Sequence, residues 1–231
     1  MSVRTRLQVV LSFVLLLATT PLLADTFTLT GSGGNWSNSS IWLQNAVPAT
    51  RTPGSLIGTI DVVNLSTPLY TVNVDLALAE RVELHLTCGT GPCIADVVAG
   101  GLLRLTNLAI SNVGLNLHLN INGGAIDNAG SLQFLIGSFF DWNSGTLGGS
   151  GNTSLAFDGS NPALLSLVNG TLDGHTLSVG GKAVYTGGFA INNGGQVNIP
   201  VNGIFDIQTT GAITTNNPVT SKITNNRTCE K

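Results

Sequence analysis

Leu115-Asn116-Leu117-His118-Leu119-Asn120-Ile121, closed by Asn122-Gly123-Gly124, is the stretch on which the fold turns. Apolar and polar residues alternate through it without a break. A period of two places Leu115, Leu117, Leu119 and Ile121 on one face of a strand, and Asn116, His118 and Asn120 on the other. Leu103-Arg104-Leu105 repeats the alternation upstream. Further out lie Ala125-Ile126-Asp127, Leu132-Gln133-Phe134, Thr146-Leu147, Leu177-Ser178-Val179, Gln196-Val197-Asn198-Ile199 and Ile204-Phe205-Asp206-Ile207. No window after the N-terminal segment has helical spacing with caps.

The punctuation between these strands recurs. Gly-Gly pairs stand at 100–101, 123–124 and 148–149, Asn169-Gly170 follows, and the pair at 180–181 precedes Gly203 by a similar interval. The pairs at 187–188 and 194–195 fall off that spacing, so the period is loose. A loose period in the low twenties predicts an all-β chain folded as a right-handed parallel β-helix, a β-solenoid of roughly 20–25-residue coils. At about 22 residues per coil, the chain beyond residue 24 has room for roughly nine coils. A single coil cannot bury its own apolar face and must lean on its neighbours. Asn122, Asn128, Asn143, Asn152, Asn193 and Asn202 at the turns are expected to stack as hydrogen-bonded ladders. An antiparallel β-sandwich also uses short strands and turns; the recurring interval and the low charge favour the solenoid. The expected organisation is residues 25–99 as an N-terminal β cap and first coils, 100–219 as solenoid coils, and 220–231 as a polar tail without a closing apolar strand.

Residues 1–24 read as a secretory signal peptide. Arg4 and Arg6 supply the positive end, Leu7 to Ala18 the apolar run, and Ala24 a small residue at the cleavage point before Asp25. The run is short for a bilayer span, and Pro21 ends it. No later stretch is long and apolar enough to span a membrane as a helix. The expectation is export, to the cell surface or the medium, with the periplasm as a further compartment.

Composition narrows the function classes. Only 9% of the 231 residues are charged, and Lys plus Arg number 9. So few basic residues cannot neutralise a phosphate backbone, which excludes nucleic acid as partner. The apolar fraction of 42% suits a chain with a buried core.

Cys88 and Cys93 enclose Gly89-Thr90-Gly91-Pro92, a turn short enough to let the sulfurs meet as a disulfide in an oxidising compartment. No histidine or second cysteine pair follows at metal-ligand spacing, so no metal or other cofactor is expected. Cys229 is left over, either free or in an intermolecular bond.

One set of motifs carries a resemblance. Gly34-Asn35-Trp36-Ser37, Trp42, Val47-Pro48 and Tyr70-Thr71-Val72-Asn73-Val74-Asp75 resemble the opening of exported bacterial β-helical repeat proteins, the adhesin-like and autotransporter-passenger-like surface proteins. Residues 140–151, from Phe140-Asp141-Trp142 to Gly149-Ser150-Gly151, and Leu172-Asp173-Gly174-His175-Thr176-Leu177 are similar to internal segments of the same family. The resemblance implies an extracellular parallel β-helix. The chain is short for that family and shows no membrane barrel or recognisable anchor.

The search for chemistry returns few candidates. Polysaccharide hydrolysis needs two facing carboxylates, and Asp127, Asp141, Asp158, Asp173 and Asp206 each stand alone in the sequence. Aspartates at turns ordinarily bond their own backbone. Arg104 and Lys182 lie outside any acidic cluster, which disfavours a calcium-dependent lyase. His85 and His118 occupy polar strand positions and His175 sits beside a glycine turn; all three are expected to be exposed. Neither a G-x-S-x-G elbow nor a phosphate loop is present. Trp36 and Trp42 are expected to plug the first end of the solenoid, and Trp142 with Phe139 and Phe140 to pack in the core, although tryptophans also stack on sugars. Six sequons (Asn35, Asn38, Asn64, Asn152, Asn169, Asn226) matter only in a glycosylating host.

Two function classes follow. The first is a secreted or cell-surface structural, adhesin-like protein without catalysis. The second is an extracellular carbohydrate-binding or polysaccharide-cleaving β-helix. Partners would be glycans or surface and matrix proteins, and an uncapped C-terminal end invites self-association.

Overall fold

The computed structural model describes residues 24–67, 69–88, 91–111, 117–157, 160 and 162–226. The leader up to Leu23, Leu115, Asn116, Asp158 and Cys229 lie outside the described residues. The chain winds as a β-solenoid of about 6 turns with roughly 23-residue spacing.

Three parallel ladders run along the solenoid, and six coils among the described residues, from Val82 onward, place a strand in all three. The first face stacks Asp61–Leu65, Val82–Thr87, 107–111, Ser131–Phe134, Asn152–Leu155, Thr176–Val179, Gln196–Ile199 and Lys222–Asn225. The second stacks Gly33–Asn35, Tyr70–Val74, Cys93–Val98, 117–122, 138–142, 164–167, 182–185 and Ile204–Ile207. The third stacks 102–105, 125–128, 146–148, 171–173, 189–191 and Ile213–Thr215. The alternation explains the burial: Leu117, Leu119 and Ile121 are buried while His118 and Asn120 face outward. Inside, Phe134, Phe140, Trp142 and Phe189 form a continuous aromatic pile, with neighbouring ring centroids 4.8, 5.9 and 5.7 Å apart. Phe139 departs from the expected core role. It points outward and stacks on His118 at 4.5 Å, because the strand period gives its two neighbours, Ser138 and Phe140, the inward places.

Glycines mark the corner between the second and third faces. A Cβ on Gly101, Gly124, Gly145, Gly187 or Gly211 would fall on a backbone carbonyl oxygen of the preceding coil: Val74, Val98, Gly124, Val168 and Gly187 respectively. Gly101 and Gly124 of the spaced pairs, and Gly187 of a pair off that spacing, stand in this packing column, set by how closely one coil passes over the last. The pair at 148–149 instead closes the third face, and 180–181 and Gly203 lead into the second.

Nine coils were expected and about six are present. The opening accounts for part of the difference. Thr26 stacks on Val62 and Gly33 on Thr71, so the first step consumes far more chain than a regular coil. The extra length folds over the end of the barrel. Thr26–Leu29 pairs antiparallel with Trp42–Gln44, which turns through Asn45 and Ala46 (φ 51° and 68°) to pair antiparallel with Val47–Pro48. Trp36 and Trp42 meet edge to face at 5.0 Å and are buried beneath it. Their indole N–H groups donate to the Pro53 and Trp36 carbonyls at 3.1 and 3.2 Å.

Arg51 ties this cap to the first coil. Its guanidinium donates two 2.6 Å bonds to Asp61, whose side chain is fully buried, and one more of 2.6 Å to Asp25. It also lies over the Phe27 ring, 4.8 Å from the centroid. The Gly54 N–H completes the Asp61 shell at 2.8 Å. The Arg51 bond holds the Asp25 carboxyl below the usual carboxylate range.

At the other end the segment read as a polar tail supplies Lys222–Asn225, paired in parallel with Gln196–Ile199. Its only apolar residue, Ile223, is exposed, which is why no inward pattern announced it. Ile204, Ile207 and Ile213 of the same last coil are exposed as well.

Cys88 and Cys93 form a disulfide with Cα atoms 5.7 Å apart, joining consecutive strands of the first and second faces. Closing so short a loop removes denatured-state entropy worth about 2 kcal/mol. Reduction is expected to lower the unfolding free energy by that amount, read as a lower denaturant midpoint, without changing the far-UV spectrum. An unchanged midpoint on adding reductant would contradict it.

Candidate functional site

The outer rows are where chemistry would sit, and the ladders fix which residues share them. Asp127 receives two bonds from Arg81, at 2.8 and 2.9 Å, and Arg104 lies 3.9 Å away. The same guanidinium of Arg81 donates to the Leu105 and Asp127 carbonyls, so this carboxylate stitches coils together. Asp173 accepts from the Asn193 amide. Asp206 accepts from Gln208 at 2.8 Å, with Lys182 at 3.8 Å. Asp141 accepts from His118 Nδ1 at 2.7 Å.

Of the sequence candidates, Asp141 and Asp206 share the second face but stand three ladder steps apart, through Ser166 and Val184. At about 4.8 Å per step that is roughly 14 Å, too far for a carboxylate pair. Asp127 and Asp173 flank Gly148 on the third face, two steps apart, and Asp127 is committed to its arginines. Asp96 was not singled out in the sequence. It stands two steps from Asp141 with Asn120 between, on the row beside His118 and Phe139. Only the register brings Asp96 and Asp141 together, since they are far apart in the chain.

The amide ladder forms in part. Asn143 donates to Asn122 Oδ1 at 2.7 Å, and Asn122 donates to Asp96 at 2.7 Å. Asn193 and Asn216 exchange bonds at 3.0 and 3.4 Å. Asn73 donates to Asn35, a rung at the cap that the turn positions did not suggest. Asn128 instead turns inward, fully buried, and bonds the Gly130 and Asn152 carbonyls. Among the described residues the Asn152 and Asn202 side chains join no rung.

His85 keeps its outward place, 2.8 Å from Glu83. His175 does not: it is 1% exposed. Thr153 Oγ1 lies 2.9 Å from Nε2 and the Gly149 carbonyl 3.3 Å from Nδ1, so a neutral ring donating from Nδ1 is satisfied in the core. Burial pulls its pKa from 6.5 down to about 4. The unfolded chain therefore takes up the proton first. Stability is fully present above pH 6.5, falls between 6.5 and about 4, and loses about 3 kcal/mol in total. The difference in denaturation free energy between the wild type and His175→Gln, followed across that range, should change by this amount. A pH-independent difference would show that His175 binds its proton equally in the folded and unfolded chains.

A second feature lies along the glycine corner. A shallow open groove of about 530 Å³ runs over four coils, from Ser144 and Thr146 to Ala212 and Thr214. None of its lining residues is charged. Among the described residues no group of three or more His, Cys, Asp or Glu is placed to hold a metal ion, and no helix is long and apolar enough to cross a membrane.

The class this geometry defines is the parallel β-solenoid. No protein-family model, curated protein or solved structure matches the chain.

Proposed function

We propose that this protein is an exported, non-catalytic β-solenoid that works as a cell-surface or extracellular scaffold of the adhesin-like kind. The observation that carries the reading is the outer side of the first face. Ser131, Asn152, Thr176 and Gln196 form one stacked row, and Gln133, Ser154, Ser178 and Asn198 the next. Eight adjacent positions carry hydroxyls and amides and no charge, a surface suited to contact rather than to proton transfer. The engagement of Asp127, Asp173 and Asp206 in bonds to other side chains supports the same view, as do the signal-like N-terminus and the resemblance to exported repeat proteins. Glycans or surface and matrix proteins are the proposed partners, and the exposed isoleucines of the last coil are the proposed point of self-association.

Fractionation of the producing cells, with mass analysis of the N-terminus, is expected to find the protein outside the cytoplasm and starting at Asp25. The purified protein is expected to release no reducing or unsaturated ends from neutral and acidic polysaccharides. Turnover abolished by Asp141→Asn would replace this reading with the second one, polysaccharide cleavage. The specific support for that alternative is the His118–Asp141 bond, with Asp96 two ladder steps away.

A further inference from the structure

We infer that the groove at the glycine corner is a binding site for an uncharged oligosaccharide lying along the solenoid axis, an inference that rests on the scaffold reading and names its ligand. One wall of the groove is a stacked row, Thr146, Thr171, Ala190 and Thr214, in register from coil to coil. Three ladder steps give it a length of about 14 Å. The opposite wall carries Ser144 and Asn169. Among the described residues no hydrogen bond engages the hydroxyls of Ser144, Thr146, Thr171 or Thr214. Asn169 uses its Oδ1 to accept from the Gly188 N–H at 2.9 Å, which leaves its amide hydrogens to donate outward.

The floor is apolar and backbone-lined. Gly145 and Gly170 pass without side chains, and a Cβ on Gly170 would strike the indole of Trp142 beneath it. The Ala212 methyl continues this surface. A sugar ring has the matching character, an apolar C–H face and a rim of hydroxyls that both donate and accept. Hydroxyl and amide walls over a Gly and Ala floor meet both at once.

The other ligand classes fit less well. An ionic polymer would find no charge in the lining. An extended peptide gains its affinity by adding to a free strand edge, whereas the strands here are already paired with the coils on both sides as far as the last rung. The site is also held in shape before any ligand arrives. The Tyr185 hydroxyl bonds the Gly211 and Ala212 carbonyls at 3.2 and 3.1 Å, and Asn169 pins Gly188.

The test is a titration of the isotope-labelled protein, followed by amide shifts, with neutral gluco-, xylo-, manno- and chito-oligosaccharides and with oligogalacturonate. At least one neutral series is expected to move amides at 144–146, 169–171 and 188–190 saturably, with a Kd on the order of 1 mM as suits a shallow site. Oligogalacturonate is expected to leave them unmoved. Thr146→Val with Thr171→Val removes two hydroxyls at nearly constant shape and should weaken binding at least about tenfold, the cost of stranding polar partners. Ala190→Arg, at an outward position, fills the groove and should abolish binding; the unperturbed remainder of its spectrum will show that it folds. Absence of saturable shifts with every neutral series, shifts confined to another face, or binding indifferent to Ala190→Arg would overturn the inference. So would tighter binding of an extended peptide at the same amides. None of those results touches the scaffold reading, which fails separately if the protein releases reducing ends from any of these sugars.

Discussion

Replacing Arg51 by Met is expected to cost about 3–5 kcal/mol and to lower the urea midpoint accordingly. The reason is the partner left behind. Asp61 has no exposed side-chain surface and takes two of its bonds from Arg51, so the variant leaves a carboxylate without its counter-charge inside the cap. Asp25 loses its ion-pair partner at the same time, and Phe27 loses the cation on its face. The control is the double change, Arg51→Met with Asp61→Asn. With no buried charge to strand, it should recover a large part of the loss, and the non-additivity measures the pair. Equal losses in single and double variants would mean that the stranded Asp61 charge is not the source of the loss.

Gly145→Ala should be as damaging, through the backbone. Gly145 has φ 102°, outside the region that L residues adopt readily, and its Cβ would fall on the Gly124 carbonyl oxygen. Strain of about 1–3 kcal/mol from the dihedral adds to about 1–3 kcal/mol for overpacking. A total of about 4 kcal/mol is expected, read as a shift in thermal or urea midpoint. Thr146→Ala next door points outward and should change stability by less than about 0.5 kcal/mol. Similar losses at the two positions would remove the glycine column as the explanation of the recurring glycines.

The strands were legible because their code is local. Leu117, Leu119 and Ile121 declare an inward face within a few residues, and the glycine pairs declare corners, although only those at 100–101, 123–124 and 187–188 share the close passage between the second and third faces. The coil count was not legible. It requires knowing how much chain goes into the cap: Trp36 and Trp42 point to one, but nothing in the sequence marks Asp61 as the place where regular winding begins. The bonds that decide the role of each aspartate were equally hidden. Arg81 and Asp127 are 46 positions apart, and only the register makes them neighbours. His175 looked like a turn residue because the sequence cannot show that Thr153 and the Gly149 carbonyl wait for it inside. The groove had one faint trace, the hydroxyl-bearing Thr146 and Thr171 beside glycines, with no way to tell that they stack.

The spacing between stacked partners has a consequence of its own. Leu164 stacks on Lys182 and Gln196 on Lys222, so beyond the opening step successive rungs are separated by as few as 18 and as many as 26 residues while the strands keep their alignment. Position in this molecule is counted in rungs, and residue number matters only within a strand. Gains and losses of chain at corners away from the glycine column would then pass as silent edits, changing a bulge on the outside and leaving every ladder in phase. A single residue lost inside 117–121 would have the opposite effect, turning the rest of that strand inside out. Such a chain can be rewritten freely in its margins and hardly at all in its lines.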